Sequence, residues 1–162
     1  MIILGIDPGL ASCGWAVIEA IKNDAPLKLK IKNCGVIKTP PSETLGKRLV
    51  IINLELEKII QEFRPVVAAI EEIFFAKNVK TAITVSHARG AIVLTCAKME
   101  LRVCEFTPLQ IKQALTGYGQ ADKSQVGFMV KNILKLKVLP KDDNTVDALA
   151  VGICLAHSYK NL

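Results

Sequence analysis

The chain opens MIILGID, a near-continuous apolar run that ends on a carboxylate. Ile and Leu in so short a run read as a strand covered on both faces, so the chain must supply a layer on each side of a sheet. A charge at the end of such a strand is costly unless something pairs it. Pro8 and Gly9 follow directly. Asp7 therefore either starts a Pro-Gly turn, a common place for Asp, or stands as a metal ligand at the mouth of the sheet.

The rest of the pattern supplies those layers. CGWAVIEA (13–20) reads as a second strand, and LKLKIKNCGVIK (27–38) as a third whose period of two sets Lys28, Lys30 and Lys32 on one wet face. Lysines there also discourage edge-to-edge pairing. Leu45, Leu49, Ile52, Leu56, Ile59 and Phe63 follow the helical period, and Pro65 stops that helix. VVAAIEEIFF (66–75) is a fourth strand broken by Glu71 and Glu72, and Asn78 caps a long helix reaching about Met99. LRVCEF (101–106) is a short fifth strand. PLQIKQAL (108–115) and KSQVGFMVKNILKL (123–136) are helices joined by the glycine-bearing TGYGQAD, and a last helix runs from Asp143 to about Ser158. The order β-β-β-α-β-α-β-α-α-α predicts an α/β protein with one mixed five-stranded sheet flanked by helices.

At 162 residues, 51% of them hydrophobic, the chain is expected to fold as one domain over 1–162. No apolar run approaches the length of a membrane span, and Asp7 and Glu19 interrupt the N-terminus too early for a secretory signal. Lys and Arg number 21 against 15 Asp and Glu, a net charge of +6, which suits a polyanionic partner, nucleic acid first. The five cysteines (13, 34, 96, 104 and 154) are widely spaced without a CxxC pair, which argues against zinc and a disulfide framework. They read as reduced, buried thiols of a cytosolic protein, and the isolated His87 and His157 as structural or surface residues.

The carboxylates form a pattern of their own. Alternation puts Ile3, Gly5 and Asp7 on one face of the first strand, and Val67, Ala69 and Glu71 on one face of the fourth. If these strands are neighbours, the two acids meet. Asp147 lies in the first turns of the last helix, among mostly apolar residues. Three converging carboxylates repel one another unless cations hold them, and hard oxygen ligands suit Mg²⁺ or Mn²⁺. Singly, Asp147 also complements a helix dipole and Glu71 also pairs with a lysine.

GIDPG near the N-terminus, AIE with FFAKN behind it, ARG, KQALTGYGQADKSQV and NTVDALA occur in that order. Together they resemble the bacterial RuvC crossover junction endodeoxyribonucleases, from Met1 to about Ala156. The resemblance implies a ribonuclease-H-like fold and a cytoplasmic homodimer. It further implies paired symmetric nicks that resolve four-way (Holliday) junctions in recombination and repair. Two Mg²⁺ ions per subunit are implied, with Mn²⁺ as a substitute, and RuvA and RuvB as branch-migration partners. Asp7, Glu71 and Asp147 become metal-binding catalytic carboxylates, Asp7 bridging the ions, with Glu72 as a flanking residue. Phe74 matches an aromatic that acts at the junction's opened base pairs. Arg89, Lys112 and Lys123 match DNA-handling cations, Lys123 also as a catalytic group at the scissile phosphate.

One position departs from the family pattern. Three residues before Asp147 the family carries Asp or His, and this chain has Asn144. On a helix, Asp143 lies about 40° from Asp147 and Asn144 about 60° to the other side, so either can face the sheet's acids. Asn144 is expected to take the ligand position, with Asp143 as the competitor. An alternative function is then a junction-binding scaffold whose cleavage Asn144 has weakened. A nuclease of the YqgF type acting on RNA shares the fold but fits FFAKN and KSQV poorly, and an actin-like ATPase needs two such domains.

Overall fold

The structure is a computed structural model that describes residues 1–21, 27–72 and 79–158, without the side chains of 79–81. Phe74, the FFAKN segment and the Asn78 cap lie outside the described residues. The chain forms β1 (Ile2–Asp7), β2 (Ser12–Ile21), β3 (Lys28–Lys38), α1 (Leu45–Phe63), β4 (Val67–Glu71), α2 (Val79–Lys98), β5 (Arg102–Phe106), α3 (Pro108–Thr116), α4 (Lys123–Ile133) and α5 (Asp143–Ser158). The sheet order is β3-β2-β1-β4-β5. β1 pairs antiparallel with β2 and parallel with β4, so the sheet is mixed, as the pattern predicted.

Period-two alternation splits the core into two layers. Ile3, Ala16, Ile18, Val67 and Ala69 face one way and pack under α3, α4 and α5. Leu4, Ile6, Val17, Ala68 and Ile70 face the other way, onto α1 and α2. Both faces of β1 are therefore covered, which is what its unbroken apolar run required. Each fully buried Ile or Leu contributes about 1.5–3 kcal/mol of transfer free energy.

The last helix lies unusually close to the sheet because three glycines let it. A Cβ on Gly5 would overlap the Ala148 carbonyl and come within 2.9 Å of Gly152 N; one on Gly14 would overlap the Asn144 carbonyl. α5 is thus laid on β1 and β2 backbone to backbone.

Some boundaries differ from the expectation. The helix read to Leu136 ends at Ile133, because Lys135 turns left-handed (φ 52°) and Leu136 N–H donates back to the Lys131 carbonyl at 2.9 Å. β4 ends at Glu71. All five cysteines are free thiols; Cys13, Cys96 and Cys154 are buried, but Cys34 and Cys104 are only half-buried.

Candidate active site

β1 and β4 run side by side in register, Ile6 opposite Ile70, so that Asp7 and Glu71 end adjacent strands on the face beneath α5. Asp147 comes down from α5 onto the same place. The charges act on one another. Burial, then the charges of Glu71 and Asp147, push the Asp7 carboxyl up to about 7. Burial and Asp147 push Glu71 to about 7 as well. Asp147 is also raised, first by burial, against the opposing pull of Lys123.

Two helix starts complete the site. α3 begins with a reciprocal capping box: Gln110 N–H donates to Thr107 Oγ1 at 3.2 Å and Thr107 N–H to Gln110 Oε1 at 2.8 Å. α4 repeats the device with Asp122 and Gln125, both bonds at 2.9 Å. Pro108 and Lys123, the first residues of these helices, line a cavity of about 260 Å³ together with Glu71, Lys112 and Asp147. Helix N-termini carry partial positive charge and favour phosphate. Lys123 Nζ donates to Asp143 Oδ2 at 3.1 Å and sits 3.3 Å from Asp147 Oδ2. Partial desolvation draws its pKa down, but these two acids outweigh it and hold the ammonium above its usual value. The charge of Lys112 acts on Glu71 in the same stabilising sense.

The donor set suits a hard divalent cation: clustered, half-buried carboxylates whose mutual repulsion a cation relieves. As the side chains stand, no three His, Cys, Asp or Glu among the described residues are gathered into a metal-holding group.

The remaining expected residues fall in different places. Asn144 is half-buried beside Gly14, the residue opposite Asp7 in the sheet; its Nδ2 donates to Ser12 Oγ at 2.8 Å. Asp143 is exposed and holds Lys123. Arg89 is tied to Glu105 of β5 as an ion pair, and its Nε is buried without a partner among the described residues. Sequence reasoning missed Asp142. Its charge reaches Asp7 and raises it further, and its carboxylate caps α5 by accepting Asn144 N–H at 3.0 Å. The available signal was the acid immediately before a predicted helix start, a strong N-cap type.

A mixed sheet in this order, with acids ending its two central parallel strands and a third on the helix above them, defines a ribonuclease-H-like α/β protein. The family model described as "Crossover junction endodeoxyribonuclease RuvC" matches residues 3–155. A protein of that name from Alkaliphilus oremlandii is 50% identical over 158 residues, 98% of this chain and 94% of its own. One from Finegoldia magna is 51% identical over 154 residues, covering 95% and 92%. The Thermus thermophilus RuvC structure solved with a Holliday junction substrate superposes with a TM-score of 0.90 at 35% identity, covering 96% of this chain and 93% of that one. This chain belongs to the RuvC family of crossover junction endodeoxyribonucleases.

Proposed function

We propose that this protein resolves four-way DNA junctions by metal-dependent phosphodiester hydrolysis at the Asp7–Glu71–Asp147 site. The observation that carries the reading is the convergence of these three acids with Lys112 and Lys123 at two capped helix starts. Asp7, Glu71, Asn144 and Asp147 would hold two Mg²⁺ ions, or Mn²⁺ in their place. When bound, such ions would activate a water and stabilise the leaving 3′-oxygen. Lys123 and the N-termini of α3 and α4 orient the scissile phosphate and balance charge growing on its oxygens. Phe74 and Arg89 are the further DNA contacts of this reading. RuvA and RuvB are its partners and the cytoplasm its place; among the described residues, no helix is long and apolar enough to cross a membrane.

A synthetic four-way junction should be nicked with Mg²⁺ in preference to a linear duplex of the same sequence. No cleavage with either metal would overturn the reading in favour of the junction-binding scaffold. In the same assay Lys123→Ala should slow cleavage roughly 10- to 100-fold, whereas Lys137→Ala, which does not line the cavity, should stay close to the wild-type rate. Equal losses would remove Lys123 from the mechanism.

Symmetric nicks need two sites at a fixed separation, which a two-fold dimer supplies. The outer face of α2 supports one. Ile83, His87, Gly90, Leu94 and Ala97 form an exposed stripe at helical spacing, with Ile83 51% and Leu94 61% exposed. A Cβ on Gly90 would meet nothing within 4 Å among the described residues, so no described contact inside the chain asks for a glycine that costs the helix about 1 kcal/mol. A second copy crossing there does ask for it. Gly90→Glu should convert the dimer to monomer by light scattering; an unchanged dimer would move the interface elsewhere.

A further inference from the structure

A polar side chain is buried at little cost only where its hydrogen bonds are made. Among the described residues, Thr39, Thr95 and Thr145 are buried polar side chains. Thr95 belongs to the packing of α2 on α1, where it accepts from Asn53 Nδ2 at 2.7 Å. Thr145 lies within α5, between the sheet and the acid site's last carboxylate. Thr39 is different. It directly follows β3, an edge strand, and is nevertheless only 5% exposed.

What Thr39 holds is the turn behind Asp7. Its Oγ1 donates to the Leu10 carbonyl at 2.6 Å, and its N–H donates to the Ala11 carbonyl at 3.2 Å. Arg48 of α1 donates from Nε to the same hydroxyl at 2.7 Å. A charged donor on that oxygen polarises the hydroxyl and strengthens the bond it gives in turn. One side chain thus joins α1 and the end of β3 to the main chain between β1 and β2. That turn connects two parts of the acid site: Asp7 ends β1, and Ser12, which accepts from Asn144 Nδ2 at 2.8 Å, opens β2. There is little slack between them, since a Cβ on Gly9 would overlap the Ser12 carbonyl. Asp7 needs a hold of this kind. Glu71, Asp147 and Asp142 all repel its charge, and among the described residues no hydrogen bond reaches its carboxylate, so its backbone must place it.

We propose that Thr39, set by Arg48, is a positioning residue for Asp7: it fixes the turn that keeps this carboxylate beside Glu71 and Asp147. The inference rests on the metal-dependent cleavage proposed above. Thr39 touches neither DNA nor cation in this role and acts only through the main chain of Leu10 and Ala11. A hydroxyl is required because the side chain must donate to one partner and accept from another, which valine of the same shape cannot do.

The test compares wild type with Thr39→Val, Thr39→Ser and Arg48→Met. Asn53→Ala, which removes the bond between α1 and Thr95, is the control for lost stability alone. Single-turnover cleavage of a synthetic four-way junction is measured in Mg²⁺, junction affinity by fluorescence anisotropy in EDTA, and melting temperature in EDTA and in Mn²⁺. Thr39→Val should cut roughly 10- to 100-fold more slowly, the cost of a misplacement of about 1 Å. Its junction affinity should hold within about twofold, because phosphate contacts supply it. It should also lose most of the rise in melting temperature that Mn²⁺ gives wild type. Thr39→Ser should recover rate and metal response together, and Arg48→Met should move both in the direction of Thr39→Val. Asn53→Ala should melt below wild type and cut at its rate. Thr39→Val cutting as wild type does would overturn the role. So would a Thr39→Ser variant that stays slow, or an Asn53→Ala variant slowed as much as Thr39→Val. Arg48→Met that loses junction affinity while the bound complex cuts normally would make Arg48 a DNA contact and remove it from the proposal. Wild-type protein that does not cut the junction would instead overturn the functional reading, and the positioning role with it.

Discussion

Asp7→Asn should reduce junction cleavage by at least about 1,000-fold, leave junction binding intact or slightly stronger, and make the metal-free protein more stable at pH 8. The first effect follows from the loss of the central carboxylate of the site, where metal assistance is worth several kcal/mol. Binding survives because affinity comes mainly from Lys and Arg contacts to phosphate. The stability gain follows from the cluster's own electrostatics. Asp7 titrates at its ordinary 3.8 in the unfolded chain and at about 7 in the folded one. Between those values the folded state holds the extra proton, so stability is full at low pH and is lost as pH rises through about 7. The shift corresponds to at most about 4 kcal/mol for Asp7, part of it shared with Glu71. Melts in EDTA should therefore show the variant several degrees above wild type at pH 8, with the gap narrowing towards pH 5. A variant that cuts near the wild-type rate would sink the metal model, and one destabilised at pH 8 would sink the electrostatic account.

Asn144→Asp should increase cleavage severalfold or more and lower the Mg²⁺ concentration for half-maximal rate by roughly tenfold, since ligand charge sets affinity for hard cations. The same change should lower the melting temperature in EDTA, because it adds another carboxylate beside acids whose pKa values are already raised. Opposite signs with and without metal separate a ligand position from a merely structural one. Asp143 is the competitor. It is exposed, bound to Lys123, and absent from the charges that move Asp7, whereas Asn144 sits against Gly14 opposite Asp7. If Asp143→Asn kills cleavage while Asn144→Asp changes nothing, the helix has been reused one residue earlier.

The acids were legible because alternation is a local rule: once Ile3 faces the core under α5, Asp7 must face the same way, and Val67 fixes Glu71 likewise. What alternation could not supply was that β1 and β4 are neighbours, a fact of sheet order. The Lys123 pairing was hidden for the same reason, since its acids lie 20 and 24 residues along the chain. The partner of Arg89 was hidden in the same way: the sequence reads this cation as a DNA contact, and the ion pair it makes with Glu105 of β5 is set by tertiary packing that no local pattern announces. Asp142 lies outside the helical period that carries Asn144 and Asp147, and only its place one residue before α5 marks it as the cap. The left-handed Lys135 gives no local warning either, being neither Gly nor Asn.

The close approach of α5 to the sheet at Gly5 and Gly14 makes the active-site spacing a main-chain dimension. Where a helix rests on side chains, exchanging one core residue for a larger or smaller one tilts it and drags its catalytic groups along. Here the Ala148 and Asn144 carbonyls bear directly on strand backbone, which cannot shrink or swell by substitution. The gap between Asp7 and Asp147 is thereby insulated from drift elsewhere in the core. The same rigidity leaves little tolerance at the bearing points: Gly5→Ala or Gly14→Ala should lift the helix and cost catalysis more than a methyl group added elsewhere in this layer.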